Sequence, residues 1–107
     1  MSDGRIVLGS LLMDLECELR LLQVWAEEPP SVEALSSTEP FCVDTLSFDQ
    51  WLQFIFLPTL HQLLDQQAAL PQECGVTPMA EEYFGSSAPG VLSCLQRIDE
   101  LLTAGVD

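Results

Sequence analysis

Apolar residues recur every three or four positions in the first quarter of the chain, which is the period of an amphipathic α-helix. This apolar stripe consists of Leu8, Leu11, Leu12, Leu15, Leu19, Leu22 and Trp25. Acidic and polar residues fill the other side, where Glu16 stands four residues before Arg20, the favoured order for an ion pair on a helix. The pattern predicts a first helix from about Arg5 to Glu28, ended by the pair of prolines that follows.

The second predicted helix begins at the clearest start signal in the chain. Ser47 and Gln50 form a capping box, in which each side chain can bond the backbone N–H of the other residue. The segment that follows, WLQFIFLPTLHQLLDQQ, is apolar in nearly every direction around the axis, which is typical of a central helix. Pro58 lies in its interior, where the loss of a backbone hydrogen bond predicts a kink.

Two further helices are predicted in the C-terminal third. Thr77 as N-cap and Pro78 as first helical residue indicate a short third helix, which ends at Phe84 before Gly85. The fourth helix ends at Gly105. Its apolar stripe consists of Val91, Leu92, Leu95, Ile98, Leu101 and Leu102. The connection 29–46 is long and carries apolar residues, so we expect it to pack on the helices.

Together these elements predict one all-α domain over residues 1–107. It is a small bundle of three longer helices and one short helix, with the second helix central and kinked at its proline. No segment alternates with period two for long enough to predict a strand. The N-terminus is a poor signal peptide and no apolar run is long enough to span a bilayer, so we expect a soluble, cytoplasmic protein.

The charge of the chain indicates which classes of partner it can bind. The chain has 17 acidic residues against three arginines, and its formal net charge is −14. Nucleic acids and anionic membranes are bound largely through Lys and Arg, so we expect neither as a direct partner. A strongly acidic surface favours a basic protein partner instead, because opposite charges speed the encounter.

Candidate reactive groups are few. Cysteines stand at positions 17, 42, 74 and 94, without a C-x-x-C pair, and we expect them to be reduced and to bind no metal. His61 is the only histidine, the residue type that acts most often as a general base, and Asp44 or a cysteine would be its partner. Phosphate-loop, nucleophile-elbow and zinc-protease motifs are missing, so we expect no cofactor and no enzymatic activity.

A structural role is the simpler interpretation of each polar candidate. We expect His61 to be a partly buried helix residue with a satisfied hydrogen bond. Asp44 and Thr45 precede the second helix, where such residues commonly hydrogen-bond loop backbone. The acidic pair Glu81-Glu82 is expected to be a solvated face of the third helix.

Between Pro40 and Glu82 several short motifs occur in a fairly specific order. They are Pro40-Phe41, Asp44-Thr45, Trp51-Leu52-Gln53, Pro58, Leu63-Leu64, Leu70-Pro71 and Pro78-Met79-Ala80-Glu81. In this combination the chain resembles the YqcC-like family of small bacterial proteins. The resemblance implies a small helical bundle in the bacterial cytoplasm and no settled activity. Members are often encoded beside a tRNA pseudouridine synthase, which implies an accessory role. Many relatives carry a basic residue where this chain has Thr59, so a contact made there is absent or changed.

These observations predict a non-enzymatic, acidic accessory protein that binds a basic partner, with a tRNA pseudouridine synthase as the candidate that the resemblance implies. The aromatic residues cannot all face inward, so the expected binding surface is an apolar patch rimmed by acids. The predicted partner-binding residues are Phe41, Asp44, Thr45, Trp51, Pro58, His61, Met79 and Glu81.

Two alternatives from other classes stay open. The first is an enzyme that uses His61 with a nearby acid or cysteine, which requires a pocket that brings these groups within hydrogen-bond reach. The second is a carrier of a small apolar ligand, which requires an internal cavity on the order of 300 Å³ or more.

Overall fold

All the regular secondary structure in residues 4–71 and 75–105, the part of the chain that the computed structural model describes, is helical. The α-helices are α1 (Gly4–Leu21), α2 (Val32–Leu35), α3 (Phe48–Trp51), α4 (Leu57–Asp65), α5 (Thr77–Phe84) and α6 (Pro89–Ala104). A π-helical segment, Leu52–Phe56, joins α3 to α4, so residues 48–65 form one central helix. The prediction of a small all-α fold is confirmed.

The core lies where α1 packs against α6 and α4, and where α5 packs against α6. The inner face of α1 consists of Leu8, Leu11, Leu12, Leu15 and Leu19, all buried, as the apolar stripe predicted. From α6 the buried residues are Val91, Leu95, Ile98 and Leu102. Burial of each such side chain contributes about 1.5–3 kcal/mol, which explains why these stripes determine how the helices pack.

The end of the first helix was predicted wrongly: α1 ends at Leu21, not at Glu28. Gln23 adopts the left-handed conformation, with φ of 63°. Its N–H donates to the carbonyl of Arg20 at 3.0 Å, and the N–H of Val24 donates to the carbonyl of Leu19 at 3.4 Å. This pair of bonds is a Schellman motif, which satisfies the last carbonyls of a helix. The chain therefore turns before it reaches the prolines.

The central helix begins where the capping box places it. The N–H of Ser47 donates to Oε1 of Gln50 at 3.0 Å, and α3 starts at the next residue. The disturbance expected from Pro58 takes the form of the π segment one turn earlier, where the N–H of Leu57 donates to the carbonyl of Leu52, five residues back. Such segments change the register of the side chains around a helix and are common at functional sites.

The third helix begins with a cap that differs from the predicted one. Thr77 is the first helical residue rather than the N-cap. Its N–H and its hydroxyl both donate to Oδ2 of Asp99 on α6, at 2.8 and 2.5 Å, and the N–H of Val76 donates to Oδ1 at 3.3 Å. A carboxylate from another helix thus accepts hydrogen bonds from the N–H groups of Val76 and Thr77 at the start of α5. As predicted, α5 ends at Phe84 before Gly85, and Gly105, whose φ is 93°, follows the last residue of α6, Ala104.

The connection between α1 and the central helix packs onto the bundle, as expected. Cys42 and Leu46 are buried there. The hydroxyl of Thr45 donates to the carbonyl of Ala34 at 2.7 Å, and the hydroxyl of Ser37 donates to Asp44 at 2.5 Å. Asp44 and Thr45 therefore hold the connection together, although the partner of Asp44 is a side chain and not the expected loop backbone.

Candidate functional site

An apolar groove runs along the central helix and has a volume of about 250 Å³. It is lined by Phe41, Trp51, Ile55, Phe56, Thr59, Leu60, Leu63, Pro71 and Val76. The residues from the helix follow two rows with a spacing of four, which places them on one face. We call this surface the aromatic groove.

Phe41 reaches the groove from a 3₁₀ turn, Pro40–Cys42, that bends the chain sharply. Phe41 and Cys42 are both in the left-handed region, with φ of 58° and 50°. This conformation costs about 1–2 kcal/mol for each residue with a side chain, so the surrounding packing must hold it. The Phe41 ring meets the Trp51 ring edge-on, with 4.9 Å between centroids. The strained turn therefore positions an aromatic ring at the rim of the groove.

Trp51 is the centre of the aromatic packing around the groove. Its ring lies 5.8 Å from that of Phe48, nearly parallel, and 5.3 Å from that of Phe56. Aromatic pairs at such distances add about 0.5–1.5 kcal/mol to the burial of their area. Phe48 and Phe56 are buried, whereas Phe41 and Trp51 are half-buried. The groove thus combines a rigid aromatic base with partly exposed apolar edges, the combination found at the centre of protein interfaces.

The structure brings two of the predicted partner-binding residues, Phe41 and Trp51, into the groove. The others lie elsewhere. Asp44 and Thr45 hold the preceding connection, and Pro58 is exposed beside the groove residue Thr59. On α5, Met79 packs against the core, while Glu81 and its neighbour Glu82 are exposed as a solvated face.

The side chain of His61 is half-buried but makes no hydrogen bond within the described residues, so the bond expected for it is not found there. Among the described residues, Asp44 bonds to Ser37 and Cys42 to the carbonyl of Ser37, and neither Asp44 nor any of Cys17, Cys42 and Cys94 bonds to His61. In the same part of the chain, no group of three or more His, Cys, Asp or Glu side chains is placed to hold a metal. Within residues 4–71 and 75–105, the pairing on which the enzymatic alternative depends is therefore not formed.

The carrier alternative required an enclosed cavity, and the groove opens to solvent. A second depression, of about 400 Å³, lies beside Asp99, Glu100 and Thr103, and it is also open and shallow. Neither space surrounds a ligand as a carrier cavity does. The aromatic groove is instead an open apolar surface along the central helix.

Among the residues that the structure describes, two titratable groups have shifted pKa values. Tyr83 donates a hydrogen bond to Asp49 at 2.7 Å, and this bond, with burial and the charge of Asp49, raises the pKa of the tyrosine. Burial raises the pKa of the Cys94 thiol, and the nearby charges of Asp14 and Glu18 act in the same direction. Cys17, Cys42 and Cys94 are free thiols. Cys74 lies outside the described residues.

The lining of the groove was only partly visible in the sequence. Ile55, Leu60, Leu63 and Val76 belong to it, and each reads as an ordinary core residue because the central helix is apolar all round. The one available signal was a spacing of four residues along the helix, which runs through Trp51, Ile55, Thr59 and Leu63. Within the described residues, no helix is long and apolar enough to cross a bilayer.

The fold and the groove define a class: small, acidic, all-α domains with an apolar surface groove. Comparison with known proteins then identifies the family. The model of the DUF446 family, described as tRNA pseudouridine synthase C, matches residues 8–101. The chain belongs to this family, which includes YqcC of Escherichia coli.

Three relatives illustrate the range of the family. YqcC of Escherichia coli K12 is 34% identical over 93 residues, 84% of this chain and 85% of its own length. An uncharacterized protein of Haemophilus influenzae is 39% identical over 71 residues, 66% of this chain and 67% of its own length. The tRNA pseudouridine synthase C of Pectobacterium carotovorum is 49% identical over 61 residues, but these are 57% of this chain and only 16% of that protein.

A solved structure agrees with the fold. The solution NMR structure of YqcC from E. coli superposes with a TM-score of 0.80 and 31% sequence identity. The superposition covers 95% of this chain and 89% of that one. The YqcC-like resemblance drawn from the sequence is therefore confirmed.

Proposed function

We propose that this chain is a non-catalytic accessory protein that binds a tRNA pseudouridine synthase. The observation that carries the proposal is the relative in Pectobacterium, in which a similar segment makes up 16% of a protein named tRNA pseudouridine synthase C. We infer that a segment that is part of an enzyme's polypeptide in one organism, and that makes up most of a small protein such as YqcC in another, serves the same enzyme in both. Because tRNA modification takes place in the cytoplasm, we place the complex there.

The charge of the chain supports a partner of this kind. An enzyme that acts on tRNA needs Lys and Arg to neutralise phosphates. This chain, with its net charge of −14, is complementary to such a surface. It also lacks the basic residues to hold the tRNA itself, so its contribution is to the enzyme and not to the RNA.

The aromatic groove supplies the contact that charge alone does not. Charge complementarity mainly accelerates association, whereas affinity comes from a few buried apolar anchors. Phe41 and Trp51 form a half-buried aromatic edge, and Leu60 and Leu63 extend it along the helix. We therefore propose that an apolar side chain of the synthase inserts into this groove, with basic residues around it facing the acidic surface.

The test is calorimetric titration of the chain with the tRNA pseudouridine synthase encoded in the same genome. We expect a complex whose affinity falls as salt rises from about 50 to about 200 mM, because the charges are screened. Thr59→Trp fills the groove from an exposed position and should weaken binding about tenfold or more. Ser93→Trp, on the exposed side of α6, is the matched control and should bind as the parent chain does.

Two results would contradict the proposal. The absence of a complex at low salt would remove the synthase as partner. A complex that tolerates Thr59→Trp as well as Ser93→Trp would keep the partner but show that the groove is not the contact.

A further inference from the structure

Helix α1 carries apolar residues on two opposite sides. Its leucine face is buried in the core. On the other side Ile6 is 72%, Met13 68% and Leu21 71% exposed, and Cys17 is exposed between the last two. With 3.6 residues per turn, the steps of seven, four and four from Ile6 to Leu21 keep these side chains on one side of the helix. We call this surface the outer stripe: Ile6, Met13, Cys17 and Leu21.

A depression of about 230 Å³ lies within the outer stripe, lined by Met13, Glu16, Cys17 and Arg20. Its wall is held in place, because Nε of Arg20 donates to Glu16 at 3.0 Å and the Arg20 guanidinium lies 4.5 Å from the centre of the Trp25 ring. A projecting Met13 beside a formed depression is the knob-and-hole surface through which helices pack on one another. An isolated apolar residue on a surface does not provide this shape.

We propose that the outer stripe is a docking surface for an amphipathic helix of a partner protein, one with an apolar ridge flanked by Lys and Arg. The charge beside the stripe selects this chemistry. Asp14, Glu16 and Glu18 lie on α1 beside the stripe. Of the arginines near them, Arg20 is already paired with Glu16, and Arg97 of α6 lies near Cys94 together with Asp14 and Glu18, so acids outnumber cations there. A ridge of Leu or Met would cover Met13 and Leu21, while basic flanks would meet the acids on either side.

A second copy of this chain is a poorer occupant. Each copy carries a net charge of −14, and pairing two outer stripes would bring the acids beside them face to face. A basic helix reverses the sign of that interaction. The outer stripe shares no residue with the aromatic groove, so this inference does not rest on the pseudouridine synthase and is tested separately from it.

The experiment uses a synthetic amphipathic helix of Leu and Lys residues, matched in length to α1 and followed by fluorescence anisotropy. Met13→Glu and Leu21→Glu place a charge within the outer stripe at positions too exposed to disturb the core. Val32→Glu is the matched control, because Val32 is an apolar residue 79% exposed on α2. All three variants gain the same negative charge, so general attraction of a basic peptide rises equally in each.

We expect Met13→Glu and Leu21→Glu to weaken peptide binding about tenfold or more, although the variants are more acidic, and Val32→Glu to leave it unchanged or slightly stronger. A Leu and Glu peptide of the same pattern should not bind. Equal effects in all three variants would overturn the inference. So would sedimentation showing a dimer of the parent chain that Met13→Glu dissociates, since a second copy would then be the occupant.

Discussion

The side-chain amide of Gln53 pairs with both backbone polar groups of Ala26. Its Oε1 accepts from the N–H of Ala26 at 2.8 Å, and its Nε2 donates to the carbonyl at 2.7 Å. Gln53 is only 7% exposed. The segment that leaves α1 is therefore attached to the central helix by one buried amide, at the point where the chain has departed from the helix that its sequence predicted.

Replacing Gln53 tests how much this attachment contributes. Gln53→Leu replaces the amide with an apolar group of similar size and leaves both polar groups of Ala26 without their partner. We therefore expect the free energy of unfolding to fall by about 1–3 kcal/mol. Gln53→Glu can still accept from the N–H but cannot donate to the carbonyl, and it places a charge in a buried site, so it should also destabilise. Urea denaturation measures both.

Gln62→Leu provides the comparison, since Gln62 is exposed on α4. Its unfolding midpoint should stay close to that of the parent chain, within about 0.5 kcal/mol. If Gln53→Leu were equally mild, the paired bonds would contribute nothing that solvent does not replace.

A second prediction concerns the end of α4, which has the same geometry as the end of α1. Gln67 has φ of 53°, its N–H bonds to the carbonyl of Leu64, and the N–H of Ala68 bonds to the carbonyl of Leu63. A left-handed residue with a side chain costs about 1 kcal/mol that glycine avoids. We therefore expect Gln67→Gly to raise the free energy of unfolding by several tenths to about 1 kcal/mol.

The control for this substitution should change the free energy of unfolding in the opposite direction. Gln62→Gly, in the helical part of α4, should lower stability by about 1 kcal/mol, because glycine is a poor helix former. Thermal unfolding of the two variants side by side distinguishes the left-handed position from the helical one. Destabilisation by Gln67→Gly would show that its side chain contributes more than its backbone strain costs.

These helix ends show which boundaries the sequence predicts correctly and which it does not. Gly85 and Gly105 were recognised because glycine is the common residue at a left-handed helix end. Gln23 and Gln67 occupy the same left-handed position without any local signal, so the first helix was predicted about two turns too long. The capping box at Ser47 is local and was found, whereas the cap that Asp99 provides to Thr77 joins residues 22 positions apart and was not.

The groove shows the same division between local and tertiary information. Phe41 and Trp51 were nominated because the aromatic residues could not all face inward and because both belong to the motifs that carry the family resemblance. Val76 joins them only because α5 is anchored to α6, and Ile55 only because of how the central helix packs. The sequence of a helix that is apolar all round does not indicate which side the other helices will leave uncovered.

A third prediction uses the only tyrosine of the chain. The pKa of Tyr83 is raised from 10.0, chiefly by its hydrogen bond to Asp49. Because the protonated form is favoured in the folded state, this contribution to stability is complete below the unfolded pKa of 10.0 and is lost as pH rises through the raised value. We expect the tyrosinate absorbance to appear above pH 10, in a titration that reports this one side chain.

Asp49→Ala should shift that titration down toward the ordinary tyrosine value, since it removes the hydrogen bond and the charge together. Asp44→Ala removes an exposed carboxylate that bonds to Ser37 instead, and it should leave the midpoint where it is. Identical midpoints in the two variants would mean that the Tyr83–Asp49 bond does not persist in solution.

The last prediction concerns the balance of charge over the whole chain. With 17 acids and three arginines, most carboxylates have no cation of their own, and their mutual repulsion opposes folding. The exposed pair of Arg20 and Glu16 contributes little to offset this.

Sodium chloride screens this repulsion. At 0.1 M salt the range of the interaction falls to about 10 Å, so distant repulsions weaken more than close contacts do. We therefore expect the melting temperature to rise between about 10 and about 150 mM salt, and to rise equally with potassium chloride, since screening does not depend on the cation. A melting temperature that falls over this range would show that attractive pairs, and not repulsion among the acids, dominate the electrostatics of the folded chain.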